Sequence, residues 1–256
     1  MTTALVQTWV LGLRAIRESL RTPDATIPTF SIPLFFLVVN VGQAAGIFPA
    51  ATTPFLGGQS YAAFQLPSSL LLAASFGSVA LYLVEDIEGG YFDKLRVTPV
   101  SRVSLVLGRL MAEAVKGVVI TVVLIGLALP FGVRVASGPL GWLLLVVLTA
   151  AWGVVFSGLM QIIALKTRSA AATNSGALVF LPLLFLTPNF VPREMLARPM
   201  EVAAAFNPLT YLMEALRSLI IDDGVRWDVL LKGVGIVAVL GVVMIVANVR
   251  AIRNYD

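Results

Sequence analysis

The sequence predicts an all-α membrane protein with six transmembrane helices. Three observations carry that prediction. The first is composition: 58% of the 256 residues are hydrophobic and 12% are charged, with a mean hydropathy of +0.93. A soluble domain is nearer half apolar and a quarter charged, so this chain needs lipid as its solvent. The second is segment length. Apolar runs long enough to cross a bilayer, which takes about 20 residues, occur at 27–48, 61–84, 110–132, 140–165, 173–191 and 229–248. None alternates like a barrel strand, and lipid admits only helices or closed barrels. The third is where the basic residues fall. Despite a net charge of +4 they sit at the ends of apolar runs, which is a topological pattern and not a phosphate-tracking stripe, so no nucleic-acid partner is expected.

The chain reads as one membrane domain, 1–256, without repeats or a soluble module. Its first element, within 1–23, is an amphipathic helix. Leu5, Trp9, Leu13, Ile16 and Leu20 recur at spacings of three and four, while Gln7, Arg14, Glu18 and Arg21 fall on the other face, and Thr22-Pro23 ends it. It either rests on the lipid surface or grips a partner. The first span follows, with Gly42 and Gly46 forming a GxxxG packing signal. Pro28, Pro33, Pro67, Pro130, Pro182 and Pro188 lie in or at spans, where each frees a carbonyl and can kink a helix.

Between spans two and three lies the most polar connection, Glu85–Arg109. It opens on Glu85, Asp86 and Glu88, breaks at Gly89-Gly90, and continues through Lys94, Arg96 and Arg102. Tyr91, Phe92 and Leu95 are spaced for one face of a short helix, with Pro99 ending it. Such a helix, with apolar anchors flanked by charge, suits docking into a groove of a soluble protein.

Spans three to five run with short connections. Glu113 and Lys116 in span three stand three residues apart and can neutralise each other. Lys232 begins span six, where its stem can snorkel. Between spans five and six, 191–228 is too long for a simple turn. Within it Asn207 caps a helix and Pro208 fills its first turn. Leu209, Leu212, Met213, Leu216, Leu219 and Ile220 form one apolar face, Glu214 and Arg217 are spaced to pair, and Asp222-Asp223-Gly224 closes the helix. It is too short to cross, so it is expected to be interfacial or re-entrant on the outer side, with Phe190, Asn207, Pro208, Leu212 and Leu216 shaping an outer gate.

Six spans put both termini on one side, and Lys and Arg choose it. Arg14, Arg17, Arg21, Lys94, Arg96, Arg102, Arg109, Lys166, Arg168, Arg250 and Arg253 share that side, eleven against five on the other. Both termini and the Glu85–Arg109 connection are therefore expected in the cytoplasm, with the chain multi-pass in the plasma (inner) membrane. No cleavable leader is expected from Met1–Gln7, which lacks a basic segment.

The chain contains no Cys and no His, which excludes disulfides, thiol nucleophiles, HExxH zinc sites and Ser-His triads. It has no GxxxxGK[ST], so it does not cradle ATP by a P-loop. No metal site is expected, and no catalytic residue.

The acidic-Gly-Gly connection followed by DKLRVTPVSR (Asp93–Arg102) and LGR (Leu107–Arg109), FVP (Phe190–Pro192) and NPLTYLMEALR (Asn207–Arg217) together resemble the permease subunit of ABC-2-type exporters, in particular the daunorubicin and drug-resistance branch. The resemblance covers nearly the whole chain. Gly90 stands where a Thr is common, and Thr187-Pro188-Asn189 replaces an expected small Ser-Gly turn. The resemblance implies two permeases, as a homodimer or heterodimer in the bilayer, bound to separate ABC ATPase subunits. ATP and Mg would reside on those partners, and no cofactor in this chain. Glu85, Asp86, Glu88, Tyr91, Phe92, Leu95, Pro99 and Arg102 would form the ATPase-coupling joint, with Tyr91, Phe92 and Leu95 as inserted knobs. Spans 61–84 and 173–191 would border the dimer seam and the pathway. The function so implied is ATP-driven outward movement of a hydrophobic drug, lipid or glycolipid. The alternatives are a stand-alone secondary carrier or channel, weakened by the lack of deep unpaired charges, and an intramembrane enzyme, weakened by the missing His and Cys.

Overall fold

The computed structural model describes residues 2–21, 23–76, 80–96, 98, 100–253 and 255. Among these, regular structure is helical throughout. The α-helices are α1 (Thr2–Arg21), α2 (Pro23–Ala44), α3 (Tyr61–Ser75), α4 (Ala80–Glu88), α5 (Tyr91–Arg96), α6 (Arg102–Ala128), α7 (Gly138–Thr167), α8 (Ala170–Ala177), α9 (Phe180–Phe185), α10 (Arg198–Phe206), α11 (Pro208–Ile221) and α12 (Trp227–Arg253). Four segments are long and apolar enough to cross a membrane: 27–44 in α2, 102–131 beginning with α6, α7 and α12.

The two remaining predicted spans are broken. The 61–84 run divides into α3 and α4, with α3 ending at Phe76, whose φ of −87° and ψ of 153° are extended. A helix that stops inside an apolar layer leaves carbonyls without partners, and α6 and α7 supply polar groups at this break. Lys116 Nζ donates to the Phe76 carbonyl at 3.4 Å while holding Glu113 at 2.6 Å, and Trp152 Nε1 donates to Ser75 Oγ at 2.9 Å. The predicted Glu113–Lys116 pair thus forms, and it closes a helix end. The 173–191 run divides into α8 and α9. Pro182 has no N–H to give the Leu178 carbonyl, and the chain turns tightly there, with Leu181 N bonding Leu178 O at 3.2 Å. By contrast α2 continues through Pro28 and Pro33.

At the centre stands α3, all of whose residues are buried. Around it pack α2, α6, α7 and α11, with α12 lying against α7 and α11. One apolar core gathers Leu66, Leu70 and Leu71 of α3, Leu124 of α6, Trp152 and Phe156 of α7, and Leu212 and Leu216 of α11. The outer faces of α2 and α12 carry exposed apolar side chains, among them Phe35, Val38, Val239 and Val242. A Cβ built on Gly42 or Gly46 would meet nothing within 4 Å, so the GxxxG signal packs no helix among the described residues.

The amphipathic first helix lies along α6. A Cβ at Gly108 would meet Leu11 Cβ at 2.8 Å and the Thr8 carbonyl at 3.1 Å, so this crossing needs glycine. Across it, the Ser101 N–H that begins α6 donates to Gln7 Oε1 at 3.1 Å. Leu5 and Trp9 of the predicted apolar face point away from the protein, 70% and 58% exposed. Small residues, Gly12 and Ala15, face α6 instead.

Candidate functional site

The charged connection is not a loop. It is the end of α4, a tight turn, α5, and the first two turns of α6, which begins at Arg102 rather than near 110. The turn uses Gly90 at φ +70°, a conformation that a Thr adopts only with strain. Glycine there fits the departure from the Thr common in the resembling family. Pro99 lies outside the described residues.

At the core of this region is an ionic clamp. The Asp86 carboxylate, buried at 8% exposure, accepts from Arg109 Nη2 on α6 and from Arg14 Nη2 on α1, the latter at 3.1 Å. Arg109 is itself 8% exposed. Two cations on one carboxylate tie three elements at a single point. Glu18 stands one helical turn from Arg14, 3.8 Å away. Burial first, and then the negative charge of Asp86, raise the Glu18 pKa, while Arg14 and Arg109 draw it back.

The predicted coupling residues divide sharply. Phe92 is 1% exposed and meets the Tyr255 ring edge-on at 5.2 Å. Leu95 packs half-buried against the same cluster, formed by Leu83, Leu105, Leu110 and Ile252. Neither is therefore a knob projecting to a partner, which corrects the sequence expectation. The short helix lays its apolar face on the chain's own α1, α6 and C-terminus, which were near enough to cover it. Tyr91 remains on the surface at 39% exposure, beneath the Arg14 guanidinium at 4.1 Å. Glu85 is exposed. Glu88 accepts from Ala170 N at 3.0 Å, at the start of α8, and Arg102 Nη1 donates to the Arg253 carbonyl at 3.2 Å. The side chains exposed along this connection, among the described residues, are thus Glu85, Glu88, Tyr91, Lys94, Thr98 and Arg102, beside the Asp86 clamp.

At the opposite end α11 carries the predicted cap. Asn207 Oδ1 accepts from Leu209 N at 3.0 Å, and its Nδ2 donates to the Leu183 carbonyl at 2.6 Å. Leu209, Leu212, Met213, Leu216, Leu219 and Ile220 are all 0% exposed. The helix therefore packs its apolar face into the protein core. Its C-terminal carbonyls are met by Ala136 N on Ile220 O at 3.0 Å and by Gln59 Nε2 on the same oxygen at 2.6 Å. Leu212 and Leu216 are fully buried, so of the expected gate only Phe190 stands exposed, at 43% beside Phe185.

Arg217 and Glu214 do not pair. Glu214 holds Arg193 at 3.2 Å. Arg217 lies 3.6 Å over the Phe64 ring and donates to the carbonyls of Phe64 at 3.2 Å and Pro188 at 3.0 Å. Burial works against its charge, and Glu214 favours it. The Thr187-Pro188-Asn189 turn is gathered here too. Ser68 Oγ bonds Asn189 Oδ1, Gln65 Nε2 reaches the Asn189 carbonyl at 3.1 Å, and Tyr61 hydroxyl reaches the Phe190 carbonyl at 2.8 Å. None of these partnerships has a local sequence signal, because the partners are far apart in the chain.

Four long apolar helices, a charged end clamped through Asp86, and a buried α11 at the opposite end define a polytopic membrane protein with no metal-binding cluster among the described residues. The chain belongs to the ABC-2 type transporter family, whose model matches residues 6–221, and it is a membrane permease of that class. It is 28% identical over 235 residues to the daunorubicin resistance ABC transporter permease protein DrrB1 of Streptomyces coeruleorubidus, covering 88% of this chain and 80% of that one. It is 25% identical over 215 residues to the probable doxorubicin resistance ABC transporter permease protein DrrC of Mycobacterium tuberculosis, covering 83% and 76% respectively.

Proposed function

We propose that this chain is the membrane-spanning subunit of an ATP-driven exporter moving a hydrophobic drug, lipid or glycolipid outward. Separate ATPase subunits would bind ATP and Mg and supply the energy. The observation that carries this reading is the Asp86 clamp, which joins the end of α4, just before α5, to α1 and α6 at one end of a family permease. Force applied to Tyr91 would pass through Arg14 and Asp86 to the long α6. The names of the relatives support a drug as cargo.

We read the helices as six crossings: α2, α3 with α4, α6, α7, α8 with α9, and α12. The two broken crossings, α3–α4 and α8–α9, would border the seam of a permease dimer. The Asp86 end and both termini would face the cytoplasm of a cell whose plasma (inner) membrane holds the protein.

Purification from mild detergent tests the central point. An ABC ATPase is expected to come down with the chain; transport by the chain alone in ATP-free vesicles would favour a stand-alone carrier. For topology, Thr98→Cys places the chain's one thiol at an exposed position beside α5. An impermeant maleimide is expected to label it only after the cells are opened, and labelling of intact cells would reverse the orientation.

Docking is tested at Tyr91. Tyr91→Asp removes the ring and puts a carboxylate into the proposed partner groove, a cost of about 2–4 kcal/mol. ATPase association is expected to fall more than tenfold while the melting temperature of the permease stays near that of the parent, because Tyr91 is surface-exposed. Leu95→Asp should lower the melting temperature as well, since Leu95 supports the chain's own cluster. Unchanged ATPase association in Tyr91→Asp would place the joint elsewhere.

A further inference from the structure

We infer that the groove between the C-terminal ends of α7 and α12 is a binding site for an anionic phospholipid, with the phosphate among Lys166, Arg168 and Arg250 and the acyl chains along the α7–α12 seam. The two helices are held close where Asn248 Nδ2 donates to the Gly158 carbonyl at 2.8 Å, and a Cβ on Gly158 would meet Met244 Cβ at 3.0 Å. One to two turns further along α7 they enclose a cavity of about 520 Å³. This is within the size range of small-molecule sites.

The lining has two kinds of surface. Ile162, Leu165, Ala247 and Ala251 make an apolar wall continuous with the membrane-crossing helices, and Tyr255 ends it. Lys166, Arg168 and Arg250 supply three positive charges, and no carboxylate is among the described residues that line the cavity. Lys166 and Arg250 are exposed and make no ion pair among the described residues, while Arg168 lies 4.3 Å over the Tyr255 ring. Glu88, a carboxylate that reaches this end of α8, is engaged by Ala170 N at 3.0 Å.

The basic residues could serve only to orient the chain. That role needs charge at the ends of helices but no cavity. Here the charges surround a space that opens onto apolar helix flanks, and the headgroup and tails of an anionic lipid match both surfaces. An inorganic phosphate matches only one of them.

The test uses the full chain purified into nanodiscs of zwitterionic lipid with 20% phosphatidylglycerol, read by native mass spectrometry for retained lipid. Lys166→Gln/Arg250→Gln is expected to lower phosphatidylglycerol retention by roughly tenfold, the scale on which one or two basic residues act at a membrane surface. Lys166→Arg/Arg250→Lys is expected to keep it. Arg17→Gln/Arg21→Gln, which removes equal charge from exposed positions of α1, is expected to leave it unchanged. Equal losses in both glutamine variants would mean diffuse attraction and overturn the site. Protection of the protein by inorganic phosphate as well as by lipid would make it a phosphate site. Undiminished lipid retention with loss of a co-purifying ATPase would assign the groove to a protein partner and overturn the proposal.

Discussion

Replacing Asp86 with Ala is expected to destabilise the protein by about 3–5 kcal/mol, the cost of removing one partner from a buried pair. Asp86 is the carboxylate on which Arg109 and Arg14 converge, and Arg109 is 8% exposed, so its charge cannot regain water without unpacking α6 from α1 and α4. Arg14 suffers less, being partly exposed and within 3.8 Å of Glu18. The purified variant should therefore melt well below the parent in detergent. Asp86→Leu combined with Arg109→Met should recover most of that loss, because an apolar pair of similar volume needs no counter-charge. The double variant then separates structure from function. If the clamp transmits motion, the protein folds but efflux per folded molecule stays low. A single variant that melts like the parent would show that the pair is not buried.

Leu212→Asn and Leu216→Asn are expected to cost about 3 kcal/mol each. Both side chains are 0% exposed in the core between α3, α7 and α12, so each change forfeits about 2 kcal/mol of apolar burial and leaves an amide without a partner. The conservative Leu216→Met should cost less than about 1.5 kcal/mol. A passive helix on the membrane surface predicts instead lower expression with unchanged transport per molecule. Melting of the purified variants, together with efflux normalised to folded protein, distinguishes the two. The packed helix predicts low melting and impaired efflux, and melting unchanged in both asparagine variants would contradict the buried placement.

Much of this was legible from local pattern. Composition dictates lipid as the solvent, and helical periodicity places α1 and α11 nearly to the residue, since a 3.6-residue repeat and an Asn-Pro cap act within a few positions. The Glu113–Lys116 pair was legible for the same reason: three residues apart on one helix, they meet wherever the helix lies. The breaks in the second and fifth apolar runs were not. Hydropathy measures the preference of a segment for apolar surroundings, and α3 satisfies it inside the protein, where a helix can stop because Lys116 and Trp152 reach its end.

The candidate site shows the same division. The sequence by itself determined that α5 would have an apolar face needing cover, and that α11 would bury one side. It could not determine what would cover them. Tyr255 covers Phe92, Arg14 covers Tyr91, and the Phe64 and Pro188 carbonyls, not Glu214, take the Arg217 guanidinium. Asp86 selects Arg14, 72 residues away, and Arg109. An apolar face or a buried charge specifies only that a partner is required. Which partner arrives is decided by how the long helices pack, and that depends on shapes distributed over the whole chain, such as the absence of a Cβ at Gly108 that lets α1 approach α6.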